Sequence, residues 1–192
     1  MRHTLSFFSV MIGLLFPIGE LQAGSASTTV LFSAFFYGGS CDVTVPPTVT
    51  YNNGAPLSDD AIPNSQQNSQ FTLTLSGCQG YFLTPKIAVK GNTFTADNNE
   101  QLYADASSTT KGYGVRLSTP GNTIFNANDN TAKSGNEVIT IKTWPSDGTS
   151  DVERLNSSLD FNAVLACGTC TVSNNLQNGE LIATVTFSFL YD

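Results

Sequence analysis

Apolar and polar residues alternate over most of the chain beyond residue 27, and almost no stretch has the period of a helix. This alternation constrains the fold strongly, because successive side chains of a β-strand point to opposite faces. Clusters of Gly, Pro and Asn separate the alternating segments and mark turns. The pattern predicts seven to nine short strands in one domain, a two-sheet antiparallel β-sandwich. The clearest segments are residues 71–75, 87–89, 113–117, 139–141, 159–165 and 181–191.

The first 23 residues have the composition of a secretory signal peptide. Arg2 and His3 form a short positive region, an apolar run follows over residues 5–18, and Ala23 supplies a small residue at the cut. The run is shorter than the ~20 residues that a membrane span needs. We therefore expect residues 1–23 to be a removable signal peptide and the protein to be exported to an oxidising compartment.

The amino-acid composition argues against several classes of function. The single histidine, His3, and both methionines lie inside the predicted signal peptide. The remaining chain then lacks the residue that a catalytic triad, a histidine-liganded zinc site or a histidine pH switch requires. The 8 Lys+Arg against 15 Asp+Glu give a net charge of −7, which argues against nucleic-acid binding. We expect no catalytic site, no cofactor and no metal, since the carboxylates are scattered over polar stretches typical of loops.

Four cysteines allow three disulfide connectivities, and thiols usually pair in an oxidising compartment. The spacing favours a bond between Cys41 and Cys78 and another between Cys167 and Cys170. The Cys167–Cys170 spacing also occurs in thiol–disulfide oxidoreductases, whose nucleophile needs a helix N-terminus. Strand patterns on both sides of this pair argue against a redox role, and the wide spacing of the first pair argues against zinc.

Two segments do not fit a self-contained sandwich. Residues 28–36 are partly apolar on both faces, at a position where a free terminus is usually polar. The last predicted strand, residues 181–191, ends one residue before the end of the sequence, and no further strand follows it there. A surplus apolar strand together with an exposed sheet edge favours association between chains.

Several motifs together resemble the pilin subunits of the chaperone–usher pathway, the type 1-like fimbrial proteins. Cys41 follows the alternating N-terminal segment, and the second cysteine closes a strand at residues 75–78, LSGC. Residues 114–117, GVRL, are similar to a strand in the middle of these domains. Counted from the C-terminus, Tyr191 is second and Gly179 is fourteenth, with alternating apolar residues between them. This C-terminal pattern is the most specific part of the resemblance, which covers essentially the whole chain after the signal peptide.

The resemblance implies an all-β, incomplete immunoglobulin-like β-sandwich that lacks its last strand. A donor strand from a periplasmic chaperone, and later from a neighbouring subunit, completes such a domain by strand addition. An outer-membrane usher mediates the exchange, and the polymer is a fimbrium on the cell surface. The implied domains are a donor-strand extension over residues 24–37 and a pilin domain over residues 38–192. The implied function is a structural, non-enzymatic subunit that supports cell adhesion and contacts a receptor only indirectly, if at all.

The resemblance also assigns site residues. The alanine seven positions before Cys41 stands where the family usually has glycine. The implied donor side chains are those of Thr28, Val30, Phe32, Ala34 and Phe36. The implied acceptor groove and chaperone-recognition residues are Gly179, Val185, Phe187, Phe189 and Tyr191.

Other functions remain open from the sequence. Trp144 follows a predicted strand, and an aromatic face of this kind suits a secreted carbohydrate-binding β-sandwich module. A tip adaptor with a ligand-binding role is a further alternative, and the sequence does not separate major, minor and adaptor subunits. A periplasmic thiol oxidoreductase that uses Cys167 and Cys170 is the third hypothesis.

Overall fold

A computed structural model of the chain describes residues 31–34, 38–58, 62, 68–81, 84–144, 152–171 and 176–192. The chain divides into two units, Met1–Phe35 and Phe36–Asp192. Every strand described lies in the second unit. The predicted signal peptide and the predicted donor residues Thr28, Val30 and Phe36 lie outside the described residues. The domain boundaries therefore stay predictions.

The described part of the second unit contains nine β-strands and two short 3-10 helices. The helices span Asn52–Gly54 and Val152–Leu155. The strands, numbered along the chain, are β1 Gly38–Thr44, β2 Asn68–Tyr81, β3 Pro85–Gly91, β4 Thr93–Thr95, β5 Gln101–Tyr103, β6 Gly114–Ser118, β7 Val138–Thr140, β8 Ser157–Ala166 and β9 Val185–Tyr191.

The strands form two antiparallel sheets. The larger sheet has the order β1-β2-β8-β6-β5-β4, and the smaller has the order β7-β3-β9. Within the described residues β9 pairs with β3 alone and so lies at the edge of the smaller sheet. The predicted all-β fold, an incomplete immunoglobulin-like sandwich, is confirmed.

The core lies between the sheets, and on β2 and β8 it consists of the side chains that the alternation placed on one face. Phe71 on β2 stacks on Phe161 on β8, with ring centroids 5.3 Å apart. Burying such side chains stabilises the fold by about 1.5–3 kcal/mol each. The largest fully buried ones are Tyr103, Phe125, Phe161, Leu73, Leu75, Ile87, Leu102, Ile139, Leu155, Leu159, Val89 and Val152.

Both disulfides favoured by the cysteine spacing are present. The bond between Cys41 and Cys78 joins β1 to β2, with their Cα atoms 4.1 Å apart. The bond between Cys167 and Cys170 closes a tight turn directly after β8. Cys170 adopts a positive φ of 53° in this turn. The first bond closes a long loop, so in the chain-entropy model it stabilises the fold more than the second.

The structure differs from the sequence prediction at the last strand. A strand is predicted over residues 181–191, whereas β9 begins at Val185. Residues 180–184 are bonded to a loop rather than to a strand, so they form no regular ladder. In the part of the chain that the structure describes, no helix is long and apolar enough to cross a membrane.

Candidate strand-acceptor groove

The backbone of β9 is paired on one side only. Thr84 and Asp192 exchange two backbone hydrogen bonds of 3.1 Å just beyond the ends of β3 and β9. Hydrogen-bonded and non-hydrogen-bonded residue pairs alternate along an antiparallel ladder. Lys86 and Leu190, two positions along from Thr84 and Asp192, therefore form the next hydrogen-bonded pair. The even-numbered residues of β9 therefore bond to β3. The N–H and C=O groups of the odd-numbered residues point away, and nothing among the described residues pairs with them.

The segment before β9 also forms backbone hydrogen bonds on one side only. The N–H of Glu180 donates to the Thr109 hydroxyl at 2.7 Å, and the N–H of Thr109 donates to the Glu180 carbonyl at 2.9 Å. The N–H of Ile182 donates to the Ser108 hydroxyl at 3.0 Å, and the Ile182 carbonyl accepts from the Asp105 N–H at 2.7 Å. The even-numbered residues are thus bonded to a loop, and the odd-numbered positions extend the open edge from residue 191 back to residue 181.

The carboxylate of Asp105 binds this segment at Thr184, the residue directly before β9. The Thr184 hydroxyl donates to Asp105 Oδ2 at 2.5 Å, and the Asn92 side chain donates to the other carboxylate oxygen at 3.3 Å. The Thr184 hydrogen bond is the main cause of a lowered pKa for Asp105. The carboxylate is therefore charged at neutral pH and holds the segment against its loop.

The side chains of the open edge point toward the core. Phe187 packs edge-on against Phe161 at 5.1 Å and against Phe71 at 6.0 Å between ring centroids. Val185 and Phe189 are also partly buried against the core cluster. Unpaired backbone groups and apolar side chains thus belong to the same odd-numbered residues.

The last aromatic residue marks the end of this edge. Tyr191 is 46% exposed, and its ring centroid lies 6.4 Å from that of Phe189. Gly38, the first residue of β1, lies so close that a Cβ there would be 3.3 Å from the Tyr191 hydroxyl oxygen. The start of β1 and the end of β9 therefore approach each other, although they belong to different sheets.

Two cavities, of about 240 and 640 Å³, lie beside residues 181–187. They adjoin, since both are lined by Tyr51, Val115 and Ala183. We call them together the groove. Its other lining residues include Val45, Val49, Phe71 and Phe187 in the smaller cavity and Leu165, Gly179 and Leu181 in the larger one.

The wall opposite β9 follows β1 in the chain. Pro46 and Pro47 lack backbone N–H groups, so the chain leaves the ladder with β2 at this point. Tyr51 then packs partly buried against the core cluster, just before the Asn52–Gly54 turn. Burial raises the pKa of the Tyr51 phenol well above its ordinary value. The phenol therefore remains neutral on the groove wall.

Three of the five predicted acceptor residues line the groove. Val185 and Phe187 line the smaller cavity, and Gly179 lines the larger one. Phe189 packs against the core and Tyr191 lies beside it, and neither lines either cavity. The opposite wall and the loop at residues 105–109 were not predicted. The sequence feature that could have indicated this wall is the alternation of Val43 and Val45, which two prolines follow directly.

Two of the predicted donor residues are described, within the first unit. Phe32 is 89% exposed and its neighbour Leu31 is 90% exposed, while Ala34 is also exposed. A fully exposed phenylalanine next to a fully exposed leucine leaves apolar surface available for burial against another surface.

The disulfide turn considered for a redox role is tied to a neighbouring loop. The Thr169 N–H donates to Asp97 Oδ1 at 2.8 Å, and the Thr169 hydroxyl donates to the other carboxylate oxygen. These bonds lower the pKa of Asp97. Residues 167–170 form a turn in which Gly168 and Cys170 have positive φ angles, rather than the first turn of a helix, so the helix N-terminus that activates such thiols is missing at this point in the described chain.

Two other candidate sites gain no support. Trp144 is partly buried against the core cluster rather than presented as a free platform. Across the described ranges, no group of three or more His, Cys, Asp and Glu side chains is placed to hold a metal ion.

Comparison with protein-family models and with curated proteins finds no match. Among solved structures, the chain is similar to the crystal structure of the P pilus rod subunit PapA, with a TM-score of 0.43 and 14% identity. The match covers 86% of this chain and 100% of that chain. So low a TM-score defines neither the family nor the function of this chain.

Proposed function

We propose that this protein is a structural subunit of a bacterial surface fimbria that polymerises by donor-strand exchange. A periplasmic chaperone first fills the groove with one of its own strands. At the outer-membrane usher, the residue 24–37 extension of the next subunit then replaces that strand. The subunit is not an enzyme on this proposal, and it supports cell adhesion through the polymer it builds.

The open edge of residues 181–191 is the observation that carries the proposal. Its outward N–H and C=O groups have no partner within the described residues, and its apolar side chains at positions 181, 183, 185 and 187 line the groove. Strand addition satisfies both at once, because the ladder gives affinity and alternate side chains in the groove set the register.

The proposed donor matches this edge in length and pattern. Residues 28–36 extended as a strand span about 30 Å, and the open edge of residues 181–191 spans about 36 Å at ~3.3 Å per residue. The donor positions 28, 30, 32, 34 and 36 then face the groove together, whereas the intervening positions face outward.

The energetics favour a linkage that hardly dissociates. Val30, Phe32 and Phe36 are large apolar side chains, and Phe32 is 89% exposed within its own chain. Burying three such side chains contributes about 5–9 kcal/mol before the cost of ordering the donor. The new ladder adds to this, because it pairs backbone groups that the groove would otherwise bury without partners.

Unheated SDS gel electrophoresis of periplasmic protein tests the proposal, with and without a co-expressed fimbrial chaperone. We expect the intact chain to form a ladder of SDS-resistant oligomers that collapses on heating. Deletion of residues 28–36 should abolish the ladder while the chaperone complex survives. A soluble monomer in every lane would contradict the proposal.

A pair of adjacent substitutions provides a matched control. Phe32→Asp should abolish the ladder, because its side chain faces the groove in the proposed register. Leu31→Asp should preserve it, because Leu31 faces outward there, although the two side chains are equally exposed in the free chain. Equal loss in both variants would contradict the register.

A further inference from the structure

The outer face of the larger sheet carries a polar depression of about 700 Å³, separate from the groove. Its floor consists of Arg116 and Ser118 on β6 and Asn162 on β8. Ser118 and Asn162 are cross-strand partners, so their side chains project from the same face. The β4–β5 turn forms one wall, and residues 127–133 form the other.

Asparagine side chains fix the second wall. The Asn130 amide donates to the Gln101 carbonyl at 2.8 Å and accepts from the Ala132 N–H at 3.0 Å, and Asn130 is only 8% exposed. The Asn128 amide donates to the Asn136 carbonyl at 2.7 Å. The wall is therefore held in one conformation before any ligand arrives, which reduces the entropic cost of binding.

The floor and walls keep unused donors. The Ser118 hydroxyl, the Asn162 amide nitrogen, the Gln101 amide nitrogen and the Lys133 ammonium have no hydrogen-bond partner among the described residues. Arg116 uses one nitrogen on Glu100, at 3.3 Å, and keeps its others. Unpaired donors that converge on a concave surface favour a ligand rich in oxygen atoms.

The charges in the depression balance. Arg116 and Lys133 are offset by Glu100 and Asp129, and each of the two carboxylates keeps an oxygen that is unpaired within the described part of the chain. The site thus offers donors and acceptors together without a net charge. A hydroxyl group donates and accepts at once, so a polyhydroxylated neutral molecule matches this set better than an anion does.

We propose that this depression binds a neutral carbohydrate of one or two sugar rings. Its volume lies in the ~300–1,000 Å³ range of small-molecule sites. No aromatic side chain lines it, so hydrogen bonds rather than ring stacking hold the sugar. We expect an affinity on the order of 1 mM for one site, and repetition of the site along a polymer would raise it by multivalency.

Saturation-transfer NMR on the purified full chain tests this proposal. The probes are the neutral disaccharides lactose, maltose and N,N′-diacetylchitobiose and the anionic 3′-sialyllactose, each up to about 10 mM, which nearly saturates a millimolar site. We expect at least one neutral probe to bind. Asn162→Ala and Arg116→Met should each weaken binding about fivefold or more, since each removes a hydrogen bond to the sugar.

Thr74→Ala is the matched control, because Thr74 is exposed on β2 of the same sheet but does not line the depression. It should leave binding unchanged. Ser118→Ala removes one hydroxyl from the depression and no hydrogen bond within the described residues, so it should fold normally and also weaken binding. It keeps the test valid if the other variants misfold. Binding of the anionic probe alone, no binding of any neutral probe, or equal binding by all variants would overturn the proposal.

Discussion

The ring of Phe187 on β9 lies 5.1 Å from the ring of Phe161 on β8, at an interplanar angle of 66°. The two strands belong to different sheets, so this edge-to-face pair fastens the edge strand to the core. Phe161 is fully buried, whereas Phe187 is only partly buried and also lines the groove. One residue of the open edge therefore contributes both to the stability of the subunit and to the surface on which a strand would bind.

Replacing Phe187 by alanine should lower the free energy of unfolding by about 2–3 kcal/mol. A fully buried phenylalanine costs about 3–5 kcal/mol on truncation, and partial burial reduces this loss. Urea denaturation of the purified chain measures the change. Thr186→Ala is the control, since Thr186 is exposed on the neighbouring position, and it should change stability by less than about 1 kcal/mol. Equal effects would contradict the packing.

The alternation predicted the sheets well because a strand has a fixed period of two. Leu73 and Leu75 on β2, and Leu159 and Phe161 on β8, are buried as the pattern requires. The same rule placed the side chains of Val185, Phe187 and Phe189 on the face of β9 that packs against the core. These features depend on local backbone geometry, which sequence spacing records directly.

The remainder of the groove depends on contacts that no local pattern encodes. Tyr51 lies in a segment with two prolines and a turn, so its place on the wall follows from its tertiary packing against the core. Val115 and Ala183 line the same cavities. The start of β9 at Val185 depends on the hydroxyl of Ser108, far away in the chain, which replaces a backbone partner. The polar depression likewise requires three separate segments of the chain to meet.

Proline substitutions should distinguish the paired from the unpaired side of β9. The Val185 N–H points away from β3, so Val185→Pro removes no bond within the described subunit, and edge positions of this kind tolerate proline. The Thr186 N–H points toward β3, so Thr186→Pro should destabilise the chain by about 3 kcal/mol or more. Thermal unfolding monitored by circular dichroism measures both. Equal destabilisation would contradict the assignment of the Thr186 N–H to the ladder with β3 and of the Val185 N–H to the open edge.

The two disulfides should differ in their contribution to stability. Replacing Cys41 and Cys78 together by serine should cost about 4 kcal/mol, because this bond closes a long loop in the unfolded chain. Replacing Cys167 and Cys170 together should cost about 2 kcal/mol, because that loop is very short. Urea denaturation without reductant compares the two double variants. A larger loss from the second pair would contradict the chain-entropy account.

The hydrogen bond from Thr184 should make the attachment of residues 180–184 sensitive to acid. It lowers the pKa of Asp105 below the usual value of 3.8, so the stability it gives is present above the unfolded-state pKa and is lost as the pH falls through the lower folded-state pKa. An NMR titration of the Asp105 carboxyl carbon should give a midpoint below 3.8 in the unmodified chain. Thr184→Val removes the donor and should move that midpoint up toward 3.8.

Asp97 serves as the internal control, because its pKa is lowered by Thr169 and should not respond to the substitution. The same Asp105 midpoint in both chains would show that Thr184 does not hold the carboxylate.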